Sequence, residues 1–115
     1  MDIYIANNKL HAALQDEDSC RRRYGAEMTK KIMLRLDALQ AAASLADFWP
    51  PRSGPEQCHE LQGDRAGTFS VDLKHPYRLL FEPSTATAPT DFSDAQQRWT
   101  SITSINILSI EDTHG

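Results

Sequence analysis

Four histidines (His11, His59, His75 and His114) and one arginine set in an apolar run, Arg78, are the side chains of this sequence best suited to chemistry. An imidazole titrates near pH 6.5 and so can take or give a proton at neutral pH. A guanidinium stays charged and presents a planar fork that holds two oxygens of a phosphate or carboxylate at once. His11 stands among charged neighbours in a helical stretch and reads as solvated surface, while His75 precedes Pro76 in a turn. His59 lies on a strand-like run next to the loop Gly63-Asp64-Arg65-Ala66-Gly67, where backbone and ligand can approach closely. On residue type alone it reads as a strand histidine bonded to a neighbour. His114 is one residue from the end of the sequence, after the apolar run Ile105–Ile110 that would anchor it in a sheet.

In Tyr77-Arg78-Leu79-Leu80-Phe81, alternation puts Tyr77, Leu79 and Phe81 on one face and Arg78 with Leu80 on the other. An arginine so placed needs an anion, water, or a cross-strand carboxylate such as Asp72 or Glu82. Arg65 and Lys74 lie in the two flanking turns and, taken singly, read as surface cations. Arg21-Arg22-Arg23 reads as a solvated helix end, compensated at helical spacing by Asp16-Glu17-Asp18. Cys58 and His59 with Asp112 and His114 raise the idea of zinc. Adjacent strand residues point to opposite faces, however, and there is no second spaced pair, so no metal site is expected. The sequence has no Gly-rich phosphate loop and no GxSxG elbow, and no cofactor is expected.

The chain of 115 residues is 40% hydrophobic and 24% charged, with a mean hydropathy of −0.51. That fits one globular domain with a modest core. No apolar run approaches the roughly 20 residues of a membrane-spanning helix, and the start, MDIYIANNKL, lacks a signal peptide's features, so a cytoplasmic protein without a membrane partner is expected. Cys20 and Cys58 make no disulfide framework and read as free thiols. Twelve basic against 16 acidic side chains leave a formal net charge of −4. A nucleic-acid ligand would therefore be held by a local cluster and not by the global field.

The elements that must position these residues follow from periodicity. Ile3, Tyr4 and Ile5 predict a first strand, and Asn7-Asn8 offer an N-cap to a helix from Lys9 to Tyr24. Gly25 then separates it from a second helix, Ala26 to Phe48, whose Met28, Ile32, Leu36, Leu39, Ala43 and Ala46 form one apolar stripe that Lys30, Lys31, Arg35 and Asp37 mostly avoid. Strands are predicted over 56–61, 68–73, 77–82 and 101–110. Residues 84–100 read as a polar loop or insertion. The expected fold is α+β, in the order β-α-α-β-β-β-β, with a helical hairpin on one face of a mainly antiparallel sheet.

Several of these residues resemble the HigB-type killer proteins of the RelE superfamily, toxins of type II toxin–antitoxin pairs. Cys58-His59-Glu60-Leu61-Gln62-Gly63-Asp64-Arg65-Ala66-Gly67 is similar to that family's His-x-Leu-x-Gly-x-Arg-x-Gly stretch. Thr68-Phe69-Ser70-Val71-Asp72-Leu73 resembles its aromatic-Ser-aliphatic strand. Pro76-Tyr77-Arg78-Leu79-Leu80-Phe81-Glu82 resembles its aromatic-Arg-aliphatic-x-Phe-Glu strand, and Asp112-Thr113-His114 its terminal Asp-Tyr-His. The helix residues Arg35-Leu36-Asp37-Ala38-Leu39 also fit. The resemblance covers residues 24–83 and 102–114, and its strength lies in the order and spacing of motifs that are individually weak.

The resemblance implies a RelE-like fold and a metal-independent endoribonuclease that cuts messenger RNA on the 70S ribosome, held inactive by a helix-turn-helix antitoxin of the HigA type. A sister branch of the superfamily inhibits gyrase instead, and fold alone does not choose between them. Cleavage through the RNA 2′-hydroxyl needs a base, a cation on the phosphate and an acid for the leaving oxygen. On the family pattern these roles fall to His59, Arg78 and His114, with Asp112 orienting an imidazole and Arg65, Lys74 and Arg21–Arg23 contacting RNA. Gln62 stands where several relatives carry lysine, and Thr113 where they carry tyrosine. The first change removes a phosphate-binding cation and the second a stacking surface.

Overall fold

The computed structural model describes residues 1–84 and 94–112. Thr113, His114 and most of the predicted 84–100 loop, residues 85–93, lie outside the described residues. Strand β1 (Asp2–Ile5) leads into α1 (Asn8–Leu14), α2 (Glu17–Tyr24) and α3 (Ala26–Ala41). Then come β2 (His59–Glu60), β3 (Phe69–Asp72), β4 (Tyr77–Pro83), α4 (Ala95–Ser101) and β5 (Ser104–Asp112).

Both predicted helices are shorter than their periodicity suggested, for a local reason in each case. The stretch 9–24 divides at Asp16, whose carboxylate accepts from the Ser19 amide at 2.7 Å and starts α2 afresh. A short polar side chain that bonds the backbone favours a cap over a helix interior. Glu17 and Asp18 in the first turn and Arg21–Arg23 in the last match the helix dipole. Gly25, at φ +84°, reverses the chain into α3 where a side chain would be strained. Helix α3 stops at Ala41, not Phe48, because Ala42 turns extended and Ser44 and Asp47 cap a separate 3-10 turn over Leu45–Phe48.

The sheet runs β1-β5-β4-β3-β2, antiparallel except for the parallel β1–β5 pair. Phe69, Val71, Leu79, Phe81, Ile105 and Ile107 line the face that meets Ile32 and Leu39 of α3, and all eight are fully buried. Burying each such side chain contributes on the order of 1.5–3 kcal/mol, so this layer is the main source of stability. The predicted α+β arrangement, a helical hairpin on one face of a mostly antiparallel sheet, is the observed one.

Helix α4 corrects the expectation that the stretch up to residue 100 is loop. Its residues are polar but for Ala95 and Trp99, and Trp99 is buried against Trp49 and Phe69 at ring-centroid distances of 5.0 and 5.6 Å. A seven-residue helix is too short to persist alone. Trp99, the Asp94 cap and the ion pair of Arg98 with Glu60 of β2 hold it.

Candidate functional site

The register across β2, β3 and β4 sets His59 opposite Ser70, Ser70 opposite Leu80, and Asp72 opposite Arg78. These residues share the sheet face turned away from the core residues Phe69, Val71 and Leu79. The site is thus assembled from three strands that are adjacent in space, and its parts come from 59–60, 69–72 and 77–83 of the sequence.

His59 is buried, at 6% exposure. Its Nδ1 is 2.9 Å from the Gln57 carbonyl and its Nε2 is 3.2 Å from Nη1 of Arg78. A carbonyl only accepts, so Nδ1 carries the proton, and a guanidinium only donates, so Nε2 presents its lone pair. Burial is the main cause that holds the His59 pKa below its ordinary value, and the nearby Arg52 and Arg78 charges add to it. The imidazole is therefore held neutral, in one tautomer, with its basic nitrogen against a cation.

Arg78 also faces Asp72, with Nε 3.4 Å from Oδ1. At that distance the contact is an ion pair and not a strong hydrogen bond. Asp72 is one of the two carboxylates that the sequence offered to Arg78; Glu82 lies farther along β4 itself. The strained turn before β2 aims the Gln57 carbonyl: Gln57 adopts φ 51° and Arg52 φ 63°. No sequence signal marks either residue, because neither is glycine.

The other candidates disperse. Arg65 pairs with Glu111 at 2.9 Å, and the Ser109 hydroxyl, then Arg65, keep the Glu111 carboxyl below its usual range. Lys74 pairs with Glu27, which it holds below the usual carboxylate range. Arg21 pairs with Glu17 and Asp18, Arg22 donates to Ser19, and Arg23 lies over the Tyr24 ring at 5.6 Å. Arg22 and Arg23 line a shallow groove between α1 and α2 with Lys9 and Ala13. Asp112 is exposed at the end of β5, opposite Tyr77, and His11 and His75 are exposed. His114 lies outside the described residues. Among the described residues no cluster of His, Cys, Asp and Glu could hold a metal ion, and none of the helices is long and apolar enough to cross a membrane.

Arg35 is the residue that sequence reasoning misplaced. The periodicity sets it among the residues that mostly avoid the apolar stripe of α3, yet it is 5% exposed. Its Nε donates to the Asp72 carbonyl at 2.7 Å and its Nη2 to the Pro55 carbonyl at 3.1 Å.

No family model matches the chain, and no curated protein matches it. Solved structures do share its fold. A YoeB/ParE toxin from Agrobacterium tumefaciens superposes with a TM-score of 0.54 at 17% identity, over 99% of this chain and 100% of that one. A YoeB dimer from Staphylococcus aureus gives 0.53, also at 17% identity, over 96% and 94%. The chain folds as these YoeB/ParE toxins do, with the His59–Arg78 pair on the face of the sheet opposite its helices.

Proposed function

We propose that this chain is the toxin of a type II toxin–antitoxin pair and acts as a metal-independent, ribosome-dependent mRNA endoribonuclease of the HigB type. The observation that supports this most is the neutral His59, whose Nε2 lone pair faces the Arg78 guanidinium and accepts from it at 3.2 Å. A base and a phosphate-binding fork side by side are two of the three groups that 2′-hydroxyl attack requires. In this reading the scissile phosphate takes the place of Asp72 on Arg78, and His59 Nε2 removes the 2′-OH proton. His114 protonates the 5′-oxygen that leaves, and Asp112 orients an imidazole. Every group is a protein side chain. The partners are messenger RNA on the 70S ribosome and, in the resting cytoplasm, a helix-turn-helix antitoxin of the HigA type.

The ion pairs favour a second reading. Arg65, Lys74, Arg78 and Arg21 each face a carboxylate, which leaves less free positive charge for RNA. A toxin of the same fold that inhibits another target such as gyrase, or an inactive chain that only binds antitoxin, would need no such charge. Primer extension on ribosome-bound messages separates these. Cuts made by the wild type and lost in His59→Ala support the nuclease; growth arrest without cuts supports the other target; neither effect leaves the antitoxin-binding chain.

A further inference from the structure

We infer that Arg35 is a positioning residue for the His59–Arg78 pair, acting through the main-chain carbonyls of Asp72 and Pro55. As a role in cleavage this rests on the nuclease reading above; as a geometric claim about His59 it stands without it.

The guanidinium comes from α3, on the core side of the sheet, and is nearly sealed from water. Both its partners are carbonyls, and among the described residues it forms no ion pair with a carboxylate. A buried cation without a carboxylate is costly, so the two strong charge-assisted bonds must keep their geometry. One fork arm holds Asp72, whose side chain faces Arg78 and whose amide donates to the Glu56 carbonyl at 2.7 Å. The other holds Pro55, two residues before the Gln57 carbonyl that accepts from His59 Nδ1. The guanidinium thus braces, beside the direct Asp72–Glu56 backbone bond, the spacing between the end of β3 and the 55–57 turn. That spacing decides whether Gln57 meets Nδ1 while Arg78 meets Nε2. Gln57 has positive φ, a conformation the turn keeps only while its surroundings hold it.

Lysine cannot replace this fork, because an ammonium is a compact donor without a second fixed arm. Methionine fills similar volume and donates nothing. The decisive measurement is the imidazole 15N spectrum of His59 in the whole chain at neutral pH. Wild type should show the single Nδ1–H tautomer. Arg35→Lys and Arg35→Met should show a mixture of tautomers, while Ile32→Val, a core truncation in the same helix, should leave the wild-type tautomer. Circular dichroism establishes that each variant is folded, and Arg35→Lys carries the test alone if Arg35→Met does not fold. On a ribosome-bound message the same variants should lower kcat up to roughly 10²-fold with KM unchanged, the scale of a slight misplacement of reacting groups. A folded Arg35→Lys that keeps the single Nδ1–H tautomer overturns the inference. A mixture of tautomers in Arg35→Lys, from a wild type that cuts no RNA, upholds the positioning and removes the nuclease reading.

Discussion

Nε2 of His59 and Nη1 of Arg78, 19 residues apart in sequence, lie 3.2 Å apart across the sheet. Because the other ring nitrogen is committed to Gln57, this contact fixes which nitrogen can act as a base. On the proposed function, Arg78→Ala should abolish most RNA cleavage, and Arg78→Lys should recover little of it, since the fork is lost. His59→Ala should cost roughly 10²–10⁴-fold, the range for a positioned acid or base. Primer extension at equal protein concentration reads both, and undiminished cutting by Arg78→Ala would exclude the arginine from the site.

Stability should depend on pH through His59. Its folded pKa lies below the unfolded value of about 6.5, so between the two the unfolded chain binds the extra proton. The contribution of neutral His59 is therefore complete above about pH 6.5, falls as the pH drops through that value, and levels off below the folded pKa. Urea midpoints measured across this window should fall for wild type, and His59→Gln should flatten the slope.

Cys58 is buried beside His59 in sequence but on the core side, and burial pushes its thiol pKa up to about 12. The native chain should resist iodoacetamide at this position at neutral pH, with labelling only after unfolding. Mass spectrometry of peptides from native and urea-treated protein checks it; rapid native labelling would show that the strand opens readily.

Trp99→Ala should destabilise the chain by about 3–5 kcal/mol, the usual cost of emptying a buried tryptophan site, although its helix lies in a polar stretch. Arg65→Ala should cost less than about 1 kcal/mol, because its pair with Glu111 is half exposed. Equilibrium urea unfolding compares the two. Similar losses from both would mean that α4 is not docked as described.

Binding to ribosomes, on the proposed function, should weaken only gently with added salt. The net charge is −4 and Arg65, Lys74, Arg78 and Arg21 already have carboxylate partners, so few counterions are released. Cosedimentation across a salt series gives the slope, and a steep one would contradict this account of the surface.

The alternation in Phe69-Ser70-Val71-Asp72 and in Tyr77–Phe81 determined which residues face the core, because a strand's side-chain period is two whatever it pairs with. Gly25, Pro76 and the 63–67 loop likewise declared their turns locally, and with the periodicity of α3 they made the α+β order legible. The site's face was legible too: His59 and Arg78 were readable as strand residues with polar needs. Their meeting was not, because it depends on the register of β2, β3 and β4, which long-range packing sets. Arg35 and Trp99 show the same limit. An arginine beside an apolar stripe looks solvated until two distant carbonyls need its donors, and a lone tryptophan in a polar stretch gives no period. Residue types and spacing determined the local elements and the stock of reactive groups; tertiary structure alone decided which of those groups would be neutral, paired or buried, since burial and partners are properties of the assembled sheet.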